Sequence, residues 1–155
     1  MTTDEIAGVP GFQFFDHVAV AVAPAELDAQ VAAYRAMGFT EIHREDVLGT
    51  DQVREVLLRV GAGPNLVQLL SPLTPDSPVA RQIERNGGRG GLAHVAFRVA
   101  DIHAAFDHLR RHGFRIIDEA LRPGSRGTTV FFVHPKTTDA AAFGYLFEVV
   151  QEGPP

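Results

Sequence analysis

At 155 residues, with 45% hydrophobic and 21% charged side chains, the chain has the length and composition of one folded domain, which excludes a disordered or fibrous protein. Cysteine is absent, so disulfide frameworks and thiolate metal sites are excluded, and any metal must be held by nitrogen and oxygen donors. A formal net charge of -5 excludes nonspecific nucleic-acid binding, which needs a basic stripe, and no apolar run approaches the roughly 20 residues that span a bilayer.

Taken from the N-terminus, Met1 to Pro10 carries Asp4 and Glu5 in place of a basic region and an apolar run, so it does not read as a secretory signal and the expected location is the cytoplasm. A strand then leads into an amphipathic helix: Leu27, Val31 and Tyr34 form one stripe, and Gly38 is a natural left-handed stop. Three strand-like runs follow, FTEIHRED, VREVLLRV and NLVQLLSP. Ser71 to Gly91, rich in Pro and Gly, reads as a linker with a short helix around Val79 to Arg85.

The pattern then repeats. LAHVAFRVADIHAAFDHLRRHGF, from Leu92 to Phe114, matches Phe15 to Phe39; His94 corresponds to His17 and Gly113 to Gly38. Asp101 is the expected N-cap of the second helix, whose stripe is Ile102, Ala105, Phe106 and Leu109. FRIIDE, TTVFFVHP and GYLFEVVQ are the expected closing strands. The fold class is therefore α+β, two tandem βαβββ modules within 13–151: module one 13–71, linker 72–90 and module two 91–151.

Strand alternation puts His17 with Ala19 and Ala21, and His94 with Ala96. The last strand of each module carries one polar residue among aliphatics, Gln68 and Glu148, and burying such groups without partners is costly. A pseudo-twofold relation between the modules would bring His17, Gln68, His94 and Glu148 together as metal ligands. Glu55 shares a face with Val53 and Leu57, as either a functional buried acid or an edge-strand glutamate facing water. His43, His103, His108 and His112 read as solvated, and His134 as structural or cleft-lining. Arg122, Arg126 and Lys136 are local basic residues for an anionic small molecule.

The repeated module resembles the vicinal oxygen chelate (glyoxalase/bleomycin resistance/dioxygenase) superfamily. DHVAVAV, LVQLLSPLTPDSPVARQIERNG, GLAHVAFRV and PGSRGTTVFFVHPK are most similar to the methylmalonyl-CoA epimerase family, over about Phe15 to Gln151. The resemblance implies an incomplete barrel with a metal-binding cleft. It also implies His17, Gln68, His94 and Glu148 as ligands of a divalent Co, Mn, Ni or Zn ion, and Glu55 and Glu148 as the acid/base pair. Substrate contacts would come from Arg126 and Lys136. The implied reaction interconverts (2R)- and (2S)-methylmalonyl-CoA, or a related 2-alkylmalonyl-CoA such as ethylmalonyl-CoA, by 1,1-proton transfer through a metal-stabilised enolate. The family's habit is a homodimer. The sequence departs from the family pattern at Ala93, in the 137–143 extension, and at Tyr145 and Phe147, which would reshape an acyl pocket. The rival readings are a glyoxalase-like lyase, a dioxygenase, and a metal-free small-molecule-binding protein of the same fold.

Overall fold

The structure is a computed structural model and describes residues 11–155; the Met1 to Pro10 segment, with the reading of the N-terminus, lies outside the described residues. The chain divides into two compact units, one of residues 17–94 and the other of residues 95–155 together with the segment ending at Asp16.

In the 17–94 unit the strand order is β2-β3-β4-β1, with β1 (Phe12–Ala21), β2 (Thr40–Val47), β3 (Val53–Arg59) and β4 (Leu66–Pro72). The first strand runs parallel to β4, and β2, β3 and β4 form an antiparallel meander. Parallel pairing requires a crossover, which helix α1 (Leu27–Ala36) supplies. Its buried Leu27 and Val31 pack with Val22, Val56, Leu58 and Leu69, so one face of the sheet carries an apolar core. The helix stops at Gly38, whose φ of 99° costs glycine nothing.

The linker is an ordered part of this unit. Helix α2 (Pro78–Arg85) is capped by Ser77, whose Oγ accepts from Val79 N at 3.2 Å and donates to the Asp51 carbonyl at 2.8 Å. In the glycine-rich turn that follows, a Cβ on Gly90 would sit 2.1 Å from the Ala21 carbonyl oxygen, so only glycine lets the chain pass β1 there.

In the other unit the order is β5-β8-β7-β6, with β5 (Gly91–Val99, which enters this unit at Val95), β6 (Arg122–Pro123), β7 (Thr129–Val133) and β8 (Phe147–Gln151). Helix α3 (Ile102–Arg111) is capped by Asp101, whose side chain accepts from Ala104 N at 3.1 Å, and its predicted stripe packs with Val99, Phe131, Val133, Phe147 and Val149.

Here one expected strand fails. FRIIDE contributes only an isolated Ile116–Val133 bridge, and the two-residue β6 takes its place. The Asp118 carboxylate accepts the Phe132 N–H at 2.7 Å, so a side chain occupies a donor that a ladder carbonyl would otherwise take. Pro123, with no N–H, stops β6 from extending. The 137–143 extension closes on itself: Thr138 Oγ1 accepts from the Ala140 and Ala141 N–H groups, and the buried Thr137 accepts from Phe143 N at 3.1 Å. Phe147 lies in the α3 core, so its bulk fills that core and is not displayed on the Glu148 face of β8.

The same unit holds a buried ion pair. Asp16 is 0% exposed and lies 2.7 Å from Arg98, whose guanidinium also stacks 5.3 Å from the Phe14 ring centre. Removing one member strands the other in low dielectric, whereas replacing both does not. Arg98→Met is expected to lower the unfolding free energy by about 3–5 kcal/mol in urea denaturation. The double variant D16L/R98M is expected to recover most of that loss.

Candidate metal and acid–base site

The face of the 17–94 sheet turned away from α1 carries the polar residues. Register explains their proximity: Gln68 on β4 lies between Ala19 on β1 and Leu57 on β3, and Glu55 pairs with Leu70 one pleat further on. Alternation therefore sets His17, Ala19, Gln68 and Glu55 on one side. Ala19 and Ala21 are fully buried, and Ala19 packs with Val53, Leu70 and Ala93, which gives Ala93 a core role.

His17 and His94, both buried and both in this unit, face each other with their Nε2 atoms 3.2 Å apart. Their rings lie 5.3 Å apart and near-perpendicular, at 70°. Two imidazole nitrogens aimed at one point either share a proton or present two lone pairs to a cation.

Glu55 is 1% exposed, which rejects the solvent-facing alternative: β3 lies between β2 and β4 and is not an edge. Gln68 Nε2 donates to Glu55 Oε1 at 2.5 Å, and that bond turns Gln68 Oε1 away. Among the described residues this buried amide oxygen has no hydrogen-bond partner. Leaving such an acceptor unsatisfied costs about 1–3 kcal/mol, a cost that a bound cation would remove. Two imidazole nitrogens and one neutral oxygen suit a borderline divalent metal, so the residues present fit the ion that the sequence resemblance implies.

Glu148 lies in the other unit on β8, 8% exposed, in register with Ala96 and Phe132. Strand alternation puts it on the side opposite Phe147 and Val149. Arg126 is exposed, in the Ser125–Gly127 turn with φ 55°, and Lys136 is exposed just after β7, its N–H donating to His134 Nδ1 at 2.9 Å. That bond gives His134 a structural role. Arg122 is committed to Asp118 at 3.3 Å and to the Phe132 ring.

Glu55 has one neighbour that strand patterning does not reveal. His43 was expected to be solvated, yet its Nε2 lies 2.8 Å from Glu45 Oε1, and Glu45 is the direct cross-strand partner of Glu55. Only the β2–β3 register reveals this, because a bulge between Glu41 and His43 shifts the pairing.

Among the described residues no helix is long and apolar enough to cross a membrane. The model of the Glyoxalase/Bleomycin resistance protein/Dioxygenase superfamily matches residues 16–132. The chain is 34% identical over 123 residues to the ethylmalonyl-CoA/methylmalonyl-CoA epimerase of Cereibacter sphaeroides, covering 78% of this chain and 87% of that protein. To the human mitochondrial methylmalonyl-CoA epimerase it is 32% identical over 121 residues, 78% of this chain and 66% of the human protein. Methylmalonyl-CoA epimerase from Mycobacterium tuberculosis superposes with a TM-score of 0.82 at 32% identity, over 95% of this chain and 93% of that one. The Streptomyces coelicolor methylmalonyl-CoA epimerase in complex with 2-nitronate-propionyl-CoA gives 0.79 at 34% identity, over 92% and 99%. With its repeated module and buried histidine pair, the chain belongs to the glyoxalase/bleomycin resistance protein/dioxygenase superfamily and, within it, to the family of the methylmalonyl-CoA epimerases.

Proposed function

We propose that the protein interconverts (2R)- and (2S)-methylmalonyl-CoA, or a related 2-alkylmalonyl-CoA, by 1,1-proton transfer. The observation that carries this reading is the Gln68–Glu55 bond, which aims a buried carboxylate while leaving the amide oxygen to a cation. A C2 proton between a thioester and a carboxylate is weakly acidic, and inversion needs a group to remove it on one side and another to return it on the opposite side. Glu55 takes the first role and Glu148 the second. His17, Gln68, His94 and Glu148 would hold a Co, Mn, Ni or Zn ion, which when bound supplies Lewis-acid stabilisation of the charge developing on the substrate oxygens. Arg126 and Lys136 would receive the anionic substrate. An amide donor alongside a further buried carboxylate favours proton transfer over oxygen activation, which ordinarily uses two histidines and one carboxylate. A cytoplasmic homodimer completes the reading, on the strength of the family's habit and the cysteine-free sequence.

Two measurements test it. With metal-reconstituted protein in D₂O, NMR is expected to show exchange of the C2 proton of both epimers together with their interconversion. Glu55→Ala is expected to slow this by about 10²–10⁴-fold. A metal-loaded wild-type protein that leaves both epimers unexchanged removes the assignment. By calorimetric titration with Co²⁺, the His17→Ala and Gln68→Leu variants should each bind at least about tenfold more weakly than wild type. Equal affinities in all three proteins would remove Gln68 and His17 from the ligand set.

A further inference from the structure

A base that is 1% exposed has a difficulty that the proton-transfer reading does not resolve. Each net conversion of one epimer leaves Glu55 carrying the proton it removed and the opposing acid without its own. The enzyme must be reset before it accepts another molecule of the same epimer, and Glu55 has no direct exposure through which to return a proton to water.

The sheet supplies a way out. Glu45 on β2 stands directly across from Glu55 on β3, so both side chains lie on one face. His43, two residues along the same strand, shares that face and holds Glu45 Oε1 at 2.8 Å. Ligand atoms of His43, Glu45 and Glu55 all lie within 4.8 Å of one another, a separation spanned directly or through one water. The side chains of His43 and Glu45 are 31% and 35% exposed, and β2 is the edge strand of its sheet. From Glu55 to Glu45 the polar row thus passes from full burial to solvent. Neither His43 nor Glu45 belongs to the proposed metal donors.

We propose that Glu45 is the proton outlet of Glu55, held in line by His43. The proton on the Glu55 carboxyl passes to the Glu45 carboxylate, which releases it to water at the sheet edge; Glu55 returns to its anionic form, the opposing Glu148 regains one proton from water, and the cycle closes with no net gain or loss of protons. This inference rests on the epimerase reading.

The test compares two rates in the metal-loaded enzyme. Net conversion of a single epimer at saturation requires the reset on every turnover, whereas isotopic tracer exchange between the epimers at chemical equilibrium runs back and forth without it. Glu45→Gln is expected to lower the net rate at least about tenfold while leaving equilibrium exchange within about twofold of wild type. His43→Asn, which keeps both carboxylates, should shift the same ratio in the same direction by a smaller factor. Asp46→Asn serves as the control: Asp46 lies on the opposite face of β2, bonded to Arg54 at 2.8 Å, and its substitution should leave both rates unchanged. Equal loss of both rates in Glu45→Gln, or loss of neither, overturns the outlet while the epimerase reading stands. A wild-type protein that does not interconvert the epimers overturns both.

Discussion

The bond between Gln68 and Glu55 organises the 17–94 unit chemically. It joins two adjacent strands through their side chains, buries a carboxylate that an aliphatic core would otherwise reject, and leaves one amide oxygen without a hydrogen-bond partner among the described residues. None of this is what a sheet would choose for stability alone, since an apolar pair at the same positions would leave nothing unsatisfied. The surrounding structure is built to tolerate it. Ala19 and Ala21 keep the adjacent strand small, the aliphatic stripe under α1 provides the core on the other face, and the parallel β1–β4 register holds Gln68 opposite Ala19.

Much of this was legible in the sequence because it rests on short-range rules. The Gly38 and Gly113 stops, the Asp101 cap and both helix stripes follow from local geometry and periodicity, and the repeat doubles each signal. The polar residues at Gln68 and Glu148 stood out because they interrupt aliphatic runs. Failures occurred where long-range pairing decides. FRIIDE has strand composition, yet Asp118 captures the donor its neighbour would have offered, and no local pattern announces that choice. His43 looked like an ordinary exposed histidine, and only the bulged register of β2 against β3 brings it beside Glu45 and Glu55. Ala93, read as a departure from the family pattern, turns out to fill a small core cluster with Ala19, Val53 and Leu70.

The two units also divide their burdens differently. In the 17–94 unit the buried polar groups are those of the candidate site, with Ser71 and the capping Ser77. In the other, the fully buried Asp16 is balanced by a guanidinium, and aromatic rings are set among the aliphatic side chains of the core: Phe106 meets Phe131 edge to face, and Phe97 meets Phe147 likewise. Such contacts stabilise through area and ring geometry without demanding small neighbours.

The charged edge strand has a consequence for solubility. An unprotected outer strand offers its free N–H and C=O groups as a template for another chain, and natural sheets blunt that hazard with charge and irregularity. Along β2 the side chains Glu41, His43, Arg44, Glu45 and Asp46 crowd the margin, and the bulge after Glu41 breaks its straightness. Charge and bulge together oppose strand-to-strand pairing at the margin next to the candidate base. A variant line selected for a more apolar margin would be drawn toward strand-to-strand association, so chemistry and colloidal behaviour constrain the same few residues.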